Sequence, residues 1–153
     1  MILGIDPGLA GTGWAVLEEE ELIDCGWIKT QSNENITVRL GKICDIIERL
    51  IVKYKIKNIA LENLFFTKNI SSALRVSQTI GAIRATGFKR GIKLFEYTPL
   101  QIKSTLVGYG RAEKSQVELM VRNILGIKQP IKPSHTADAI AVALTHLYIK
   151  HEV

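Results

Sequence analysis

Cysteine and long apolar runs are scarce in this sequence, and each scarcity argues against a class of protein. The 153 residues include only 2 cysteines, Cys25 and Cys44, whose separation matches no metal-binding motif. Two cysteines cannot supply a disulfide framework, so we expect a reducing, cytoplasmic environment. No apolar run approaches the roughly 20 residues that span a bilayer, and we expect no membrane partner. The first residues carry no basic segment, so we also expect no signal peptide.

Repeats, low-complexity segments and linkers are absent as well, and residues 1–153 are expected to form a single α/β domain. Hydrophobic periodicity predicts strands at 1–6, 12–18, 22–29, 57–62 and 92–97. It predicts helices at 35–55, 70–88, 99–106 and 114–125, and a final helix that Ser134 is expected to cap. The acidic run 18–21 is expected to form an exposed hairpin turn. Hairpins followed by helical crossovers predict a mixed five-stranded sheet flanked by helices.

Positive charge is in mild excess, with a formal net charge of +5. It is concentrated between residues 84 and 114, where seven basic residues face only Glu96 and Glu113. The seven are Arg84, Lys89, Arg90, Lys93, Lys103, Arg111 and Lys114. Such a stretch suggests a polyanionic partner, although composition alone is equally consistent with a solvated surface.

Three acidic residues stand at positions where they could work together. Asp6 ends the first predicted strand, Glu62 ends the fourth, and Asp138 lies early in the last helix, three residues after His135. Functional groups in α/β sheets gather at the carboxyl ends of parallel strands. Carboxylates from separate segments are suitable ligands for divalent cations, and two such ions about 4 Å apart can cleave phosphodiesters. Taken singly, each residue could instead serve a turn or a helix terminus.

The glycines and aromatics near these carboxylates leave alternatives open. Gly8, Gly11 and Gly13 follow the first strand, as in ATP-binding loops where glycine lets the backbone approach a phosphate. An actin-like phosphotransferase is therefore one alternative, although it normally needs a second domain. A junction-binding module without catalytic activity is another. Phe65 and Phe66 follow Glu62 and could stack on bases or pack in the protein.

The motifs GIDPGLAGTGWAV, ALENLFFTKNISSALRVSQTIGAI, FEYTPLQIKSTLVGYGRAEKSQVELMVRNILG and HTADAIAVALTH together resemble the RuvC family of Holliday junction resolvases. The resemblance covers nearly the whole chain. It implies a ribonuclease-H-like fold and a crossover junction endodeoxyribonuclease that nicks two opposed strands symmetrically in recombination and repair. It also implies Mg²⁺, with Mn²⁺ as a substitute, at no more than two ions per active site. The implied partners are four-way junction DNA, a second copy of the chain, and the RuvA and RuvB branch-migration proteins.

The same resemblance assigns roles to individual residues. It implies that Asp6, Glu62, His135 and Asp138 are catalytic metal ligands and that Lys114 assists catalysis. His135 stands where many members have a fourth carboxylate, which leaves the metal preference open. The DNA-contacting residues that it implies are Phe65, Phe66, Lys68, Lys103, Arg111 and Lys114.

The helix predicted at 70–88 is expected to form the interface of the homodimer. Small side chains at Ala73, Ser77 and Gly81 would allow a second helix to approach closely. The apolar contact area is expected to come from Ile70, Leu74 and Ile80.

Overall fold

The computed structural model describes residues 1–63 and 69–149, which form one five-stranded sheet with helices on both faces. The strands are β1 (Ile2–Asp6), β2 (Gly11–Glu18), β3 (Glu21–Lys29), β4 (Asn58–Glu62) and β5 (Lys93–Tyr97). The helices are α1 (Ile36–Tyr54), α2 (Ile70–Lys89), α3 (Pro99–Val107), α4 (Lys114–Leu125) and α5 (Ser134–Tyr148). Within these residues no helix has the length and apolarity to cross a membrane.

The sheet has the order β3-β2-β1-β4-β5 and is mixed, as predicted. The hairpin-linked strands β1, β2 and β3 pair antiparallel. The strands reached through helical crossovers, β4 and β5, pair parallel to β1 and β4 respectively. The acidic run forms the exposed β2–β3 turn, where Glu19 adopts a left-handed conformation with φ of 52°. This order makes β1 and β4 neighbours whose carboxyl ends share one edge of the sheet.

Each face of the sheet covers its own hydrophobic core. Leu3 and Ile5 of β1 point to the face covered by α1 and α2, where Ile43 and Ile47 of α1 are fully buried. The opposite face is covered by α3, α4 and α5, with Leu144 of α5 fully buried. Burial of each such side chain stabilises the fold by about 1.5–3 kcal/mol. Because helices pack on both faces of the sheet, the ends of its strands have well-defined positions.

Glycines in β1 and β2 let α5 lie unusually close to the sheet. A Cβ atom at Gly13 would lie 1.9 Å from the carbonyl oxygen of His135, and one at Gly4 would lie 2.2 Å from that of Ala139. No larger residue could occupy either position without movement of the helix. The close approach brings the first turns of α5 over the end of β1.

The amino-terminal end of α5 differs from the prediction that Ser134 caps it. Pro133 is the N-cap residue, with extended backbone angles, and Ser134 is the first residue inside the helix. The Pro133 carbonyl accepts a hydrogen bond from the Thr136 amide at 3.0 Å, and no side chain caps the helix. The ring of proline holds φ near −65°, in agreement with the φ of −68° at Pro133.

The α2 helix exposes only part of the apolar face predicted for a dimer interface. Ile70 and Leu74 are 77% and 61% exposed. Ile80, in contrast, is only 6% exposed and packs in the core beneath α2, so its assignment to the interface was wrong. Ile80 lies six residues after Leu74, which places the two side chains on different faces of a helix with 3.6 residues per turn.

Candidate active site

Asp6, Glu62, His135 and Asp138 come together at one cavity of about 340 Å³. Asp6 and Glu62 are the last residues of β1 and β4, and these strands are parallel neighbours. His135 and Asp138 reach the same cavity from the first turns of α5. The rest of the lining comes mainly from the helices on that side of the sheet: Pro99, Ile102, Lys103, Lys114, Val117 and Ala141.

The acidic side chains are tied to specific partners. Nδ1 of His135 lies 2.9 Å from Oδ2 of Asp6, and Nζ of Lys114 donates to Oδ2 of Asp138 at 2.7 Å. Glu62 shares a side-chain hydrogen bond with Asp6. Asp6 is only 9% exposed. The deepest carboxylate therefore stands between His135 and Glu62, while Asp138 and Lys114 form the more open side of the cavity.

Burial and mutual repulsion perturb the ionisation of this group. Burial raises the pKa of Asp6. Burial, together with the charges of Asp6 and Asp138, raises the pKa of Glu62 to about 8. Burial disfavours the charge of Lys114, but its hydrogen bond to Asp138 and the nearby carboxylates raise its pKa. Glu62 is accordingly protonated near neutral pH and can donate to Asp6, because three ionised carboxylates would repel one another in this buried position.

The chemistry of these side chains fits a divalent cation, although their present pairing is with each other. Within residues 1–63 and 69–149, no three His, Cys, Asp or Glu side chains are grouped so as to hold an ion as they stand. Asp6 is instead bonded to His135, and Asp138 to Lys114. Hard cations prefer oxygen ligands, and three carboxyl groups line this cavity. A cation here would supply the charge that the shared proton and the Lys114 ammonium now provide.

The other residues predicted to contact DNA do not all lie at this cavity. Lys103 lines the cavity, whereas Arg111 is exposed and does not line it. Phe65, Phe66 and Lys68 lie outside the described residues. The basic stretch is also not one continuous free surface. Arg84 and Arg90 form ion pairs with Glu96 and Glu48 respectively.

A polar network that sequence analysis did not predict anchors the end of β4. The Asn63 amide donates to the Tyr97 carbonyl at 2.9 Å, and Nδ2 of Asn63 donates to Oε2 of Glu96 at 2.5 Å. Glu96 also pairs with Arg84 of α2. Because Asn63 directly follows Glu62, this network holds the end of β4 that lines the cavity in place. The only sequence signal was a polar residue at the end of a buried strand.

The fold and the cavity together define a class of protein, the metal-dependent nucleases with a ribonuclease-H-like fold. The comparison with known families identifies the member of that class. The model of the family "Crossover junction endodeoxyribonuclease RuvC" matches residues 2–146, and the chain belongs to the RuvC family.

Individual relatives agree with this assignment. The chain is 44% identical over 150 residues to the RuvC of Ruminiclostridium cellulolyticum, covering 95% of this chain and 90% of that relative. It is 42% identical over 151 residues to the RuvC of Syntrophomonas wolfei, covering 96% and 88%. The structure of Thermus thermophilus RuvC in complex with a Holliday junction substrate superposes with a TM-score of 0.90, at 35% identity and 96% and 92% coverage.

Family membership decides between the alternatives that the sequence left open. The protein is an endodeoxyribonuclease that resolves four-way DNA junctions, in recombination and repair. The predicted ribonuclease-H-like fold is confirmed. Neither an ATP-dependent phosphotransferase nor a non-catalytic binding module is consistent with these relatives.

Proposed function

We propose that junction cleavage takes place in the cavity formed by the carboxyl ends of β1 and β4 and the start of α5. The observation that carries this proposal is the convergence of Asp6, Glu62 and Asp138 on one cavity that Lys103 and Lys114 also line. Acidic ligands and basic side chains are both needed, because the substrate is a phosphodiester and the metal is a cation.

Nucleases of this family depend on a divalent metal. We propose Mg²⁺, with Mn²⁺ as a substitute, and at most two ions held by Asp6, Glu62, Asp138 and His135. Bound ions would supply Lewis acidity for activating water and for stabilising the leaving oxygen. Asp6 is the deepest of these ligands and has Glu62 on one side and His135 on the other. Asp6 is therefore the residue best placed to contribute to ion binding both beside Glu62 and beside His135.

Lys114 and His135 have distinct proposed roles. Nζ of Lys114 already lies within hydrogen-bond distance of a cavity carboxylate, so its ammonium is available to neutralise charge on the scissile phosphate. The imidazole of His135 orients Asp6 through Nδ1, and it is the nitrogen ligand of an otherwise oxygen-based set.

The proposal extends to partners and location. Thermus thermophilus RuvC was solved with a Holliday junction substrate, and we infer that this chain binds the same class of DNA. We further infer a homodimer through the exposed part of α2, cooperation with RuvA and RuvB, and a cytoplasmic location. Two symmetric nicks require two active sites related by a two-fold axis, which a homodimer provides.

Asp6→Asn tests the proposed site directly. The substitution keeps the shape of the side chain but removes its charge, so cleavage of a synthetic four-way junction should fall roughly 100-fold or more. Binding of the junction should persist, because no positive charge is lost. Asp45→Asn, on the exposed side of α1, is the matched control and should cleave normally. Cleavage by Asp6→Asn above about a tenth of the wild-type rate would place the metal site elsewhere.

The metal requirement provides a second measurement on the same site. Asp138→Asn should raise the Mg²⁺ concentration needed for half-maximal cleavage, because it removes one anionic ligand. An unchanged metal requirement would show that Asp138 serves only as the partner of Lys114.

A further inference from the structure

A second cavity, of about 240 Å³, shares His135 with the proposed active site. It is formed by the loop of residues 8–11 and by side chains from α1 and α2, including Arg39, Ser72 and Arg75. It therefore lies at the same edge of the sheet as the proposed active site, next to the layer formed by α1 and α2. Lys103 and Lys114 belong to the helices that cover the opposite face. Among residues 1–63 and 69–149, no acidic side chain lines this cavity. Its charged lining is entirely basic.

Arg39 is a buried cation without a close counterion. It is 8% exposed, and its Nε donates to Oγ1 of Thr30 at 2.8 Å, which in turn donates to the Leu9 carbonyl. Among the described residues no carboxylate lies within 4.0 Å of its guanidinium. Glu34 interacts with Arg39 through its charge, but it is itself paired with Lys42. A buried charge is costly unless it is paired, so this arrangement calls for an anion.

Arg39 lines the cavity and keeps hydrogen-bond donors that are not used within the described part of the chain. Within the described residues, only Nε of Arg39 forms a hydrogen bond, and its two terminal nitrogens form none. Every fully buried side-chain nitrogen among these residues has a hydrogen-bond partner, so the terminal nitrogens are not fully buried. The terminal nitrogens are consequently reached by solvent, and the cavity that Arg39 lines is where an anion could meet them. Their position is held by Thr30, because the Nε bond locks the plane of the guanidinium.

Arg75 adds a second guanidinium to the same cavity. It is exposed, it lies on α2, and within residues 1–63 and 69–149 it forms no ion pair. The amino-terminal amides of α2 are not the donors of this cavity, because Asn69 Oδ1 already accepts from Ser71 and Ser72. The capacity to bind an anion therefore comes from the two arginines. Arginine binds phosphate oxygens through two parallel N–H groups.

We propose that this second cavity holds a backbone phosphate of the same DNA strand that is cut at the neighbouring site. The inference rests on the proposed position of the active site. Since both cavities share His135, a strand lying along this edge of the sheet would present successive phosphates to the two cavities. A phosphate held by Arg39 and Arg75 sets which phosphodiester reaches Asp6, and so sets the position of the cut.

Binding of junctions that each carry one uncharged methylphosphonate tests this assignment. Each phosphate flanking the cut is replaced in turn, and the dissociation constant is measured by fluorescence anisotropy in metal-free buffer, where no cleavage occurs. The wild-type protein should lose affinity about threefold to tenfold at one flanking position. Arg75→Gln should bind the unmodified junction more weakly by a similar factor, and the slope of log K against log salt concentration should be smaller by about 1. In this variant, the methylphosphonate at that position should cause no further loss of affinity.

The matched control is Arg49→Gln, which removes the same charge from an exposed position on α1. It should keep both the wild-type salt slope and the sensitivity to the modified phosphate. Arg39→Lys keeps the charge but not the two-pronged geometry, and it should shift the cut to neighbouring phosphodiesters. If Arg39→Lys fails to fold, Arg75→Gln carries the test alone.

The inference is overturned if Arg75→Gln and Arg49→Gln behave alike, or if the methylphosphonate loss is the same in Arg75→Gln as in the wild type at every position. Because these are measurements of binding without metal, they remain interpretable even if Asp6→Asn proves active. Failure of the phosphate cavity and failure of the proposed metal site are thus separable.

Discussion

Replacing Gly13 with alanine should impair cleavage in a protein that still folds. The new Cβ would lie 1.9 Å from the His135 carbonyl oxygen, whereas ordinary contacts begin at 3.4 Å. The start of α5 must therefore retreat from the sheet by about 1.5 Å. His135 and Asp138 move with it, while Asp6 stays on β1. A displacement of about 1 Å in an active site can lower the rate about 100-fold.

The energetic cost to the fold should not exceed the stability of the domain. Overpacking of this kind typically destabilises a protein by about 1–3 kcal/mol, which a well-buried domain tolerates. The assay is single-turnover cleavage of a synthetic four-way junction at saturating enzyme, at a temperature where circular dichroism shows the variant to be folded. We expect Gly13→Ala to cleave roughly 100-fold more slowly and to bind the junction with near-normal affinity.

Gly41→Ala is the matched control for this experiment. A Cβ at Gly41 meets nothing within 4 Å, and the residue is exposed in α1. The substitution should leave cleavage unchanged and stabilise the protein by about 0.5–1 kcal/mol. If folded Gly13→Ala cleaved within about threefold of the wild-type rate, the close packing of α5 on β2 would not be what positions His135 and Asp138.

The remaining predictions concern the interface, the core and the substrate. Leu74→Glu should convert a dimer to a monomer in analytical ultracentrifugation, while Leu119→Glu, on similarly exposed α4, should not. Burial raises the pKa of Tyr97 to about 12, so the free energy of unfolding should fall as pH rises from 10 to 12. In chemical denaturation, Tyr97→Phe should lose roughly 1–3 kcal/mol less than the wild type over this pH range, and an equal loss in both proteins would contradict the prediction. Phe65→Ala should slow cleavage less on a junction already unpaired at its centre; equal losses on both substrates would indicate plain packing.

The elements of the fold were predictable because their patterns are local. Hydrophobic spacing of three and four residues marked α1, and alternation or short apolar runs marked the strands. The mixed sheet followed from the connections, since hairpins favour antiparallel pairing and helical crossovers favour parallel pairing. The neighbouring positions of Asp6 and Glu62 then required only that β1 and β4 pair, as they do.

The pairing inside the cavity was not predictable, because it depends on side chains that are far apart in sequence. Nothing in the spacing shows that Lys114 bonds Asp138, which lies on a different helix. The same holds for Glu96, which links Asn63 to Arg84. Both contacts arise from the way separate helices pack on the sheet, and the sequence carries no periodic signal for that packing.

Some glycines of the first motif are required for helix packing, although the sequence pattern suggested phosphate binding. Gly13 belongs to a run that suggested a loop around a phosphate, yet a side chain there would collide with the His135 carbonyl. Gly4, inside β1, meets α5 one turn further along in the same way. Both residues let a helix, rather than a ligand, approach the backbone.

This packing connects the sequence motif to the chemistry of the site. An ordinary strand residue at these positions would hold α5 further from the sheet, and Asp138 would then no longer share a cavity with Asp6 and Glu62. The carboxylates would supply the proposed metal ligands, and the absence of side chains at Gly4 and Gly13 lets these carboxylates come together. In this fold, therefore, Gly4 and Gly13 contribute to the proposed active site by letting α5 pack closely on the first two strands.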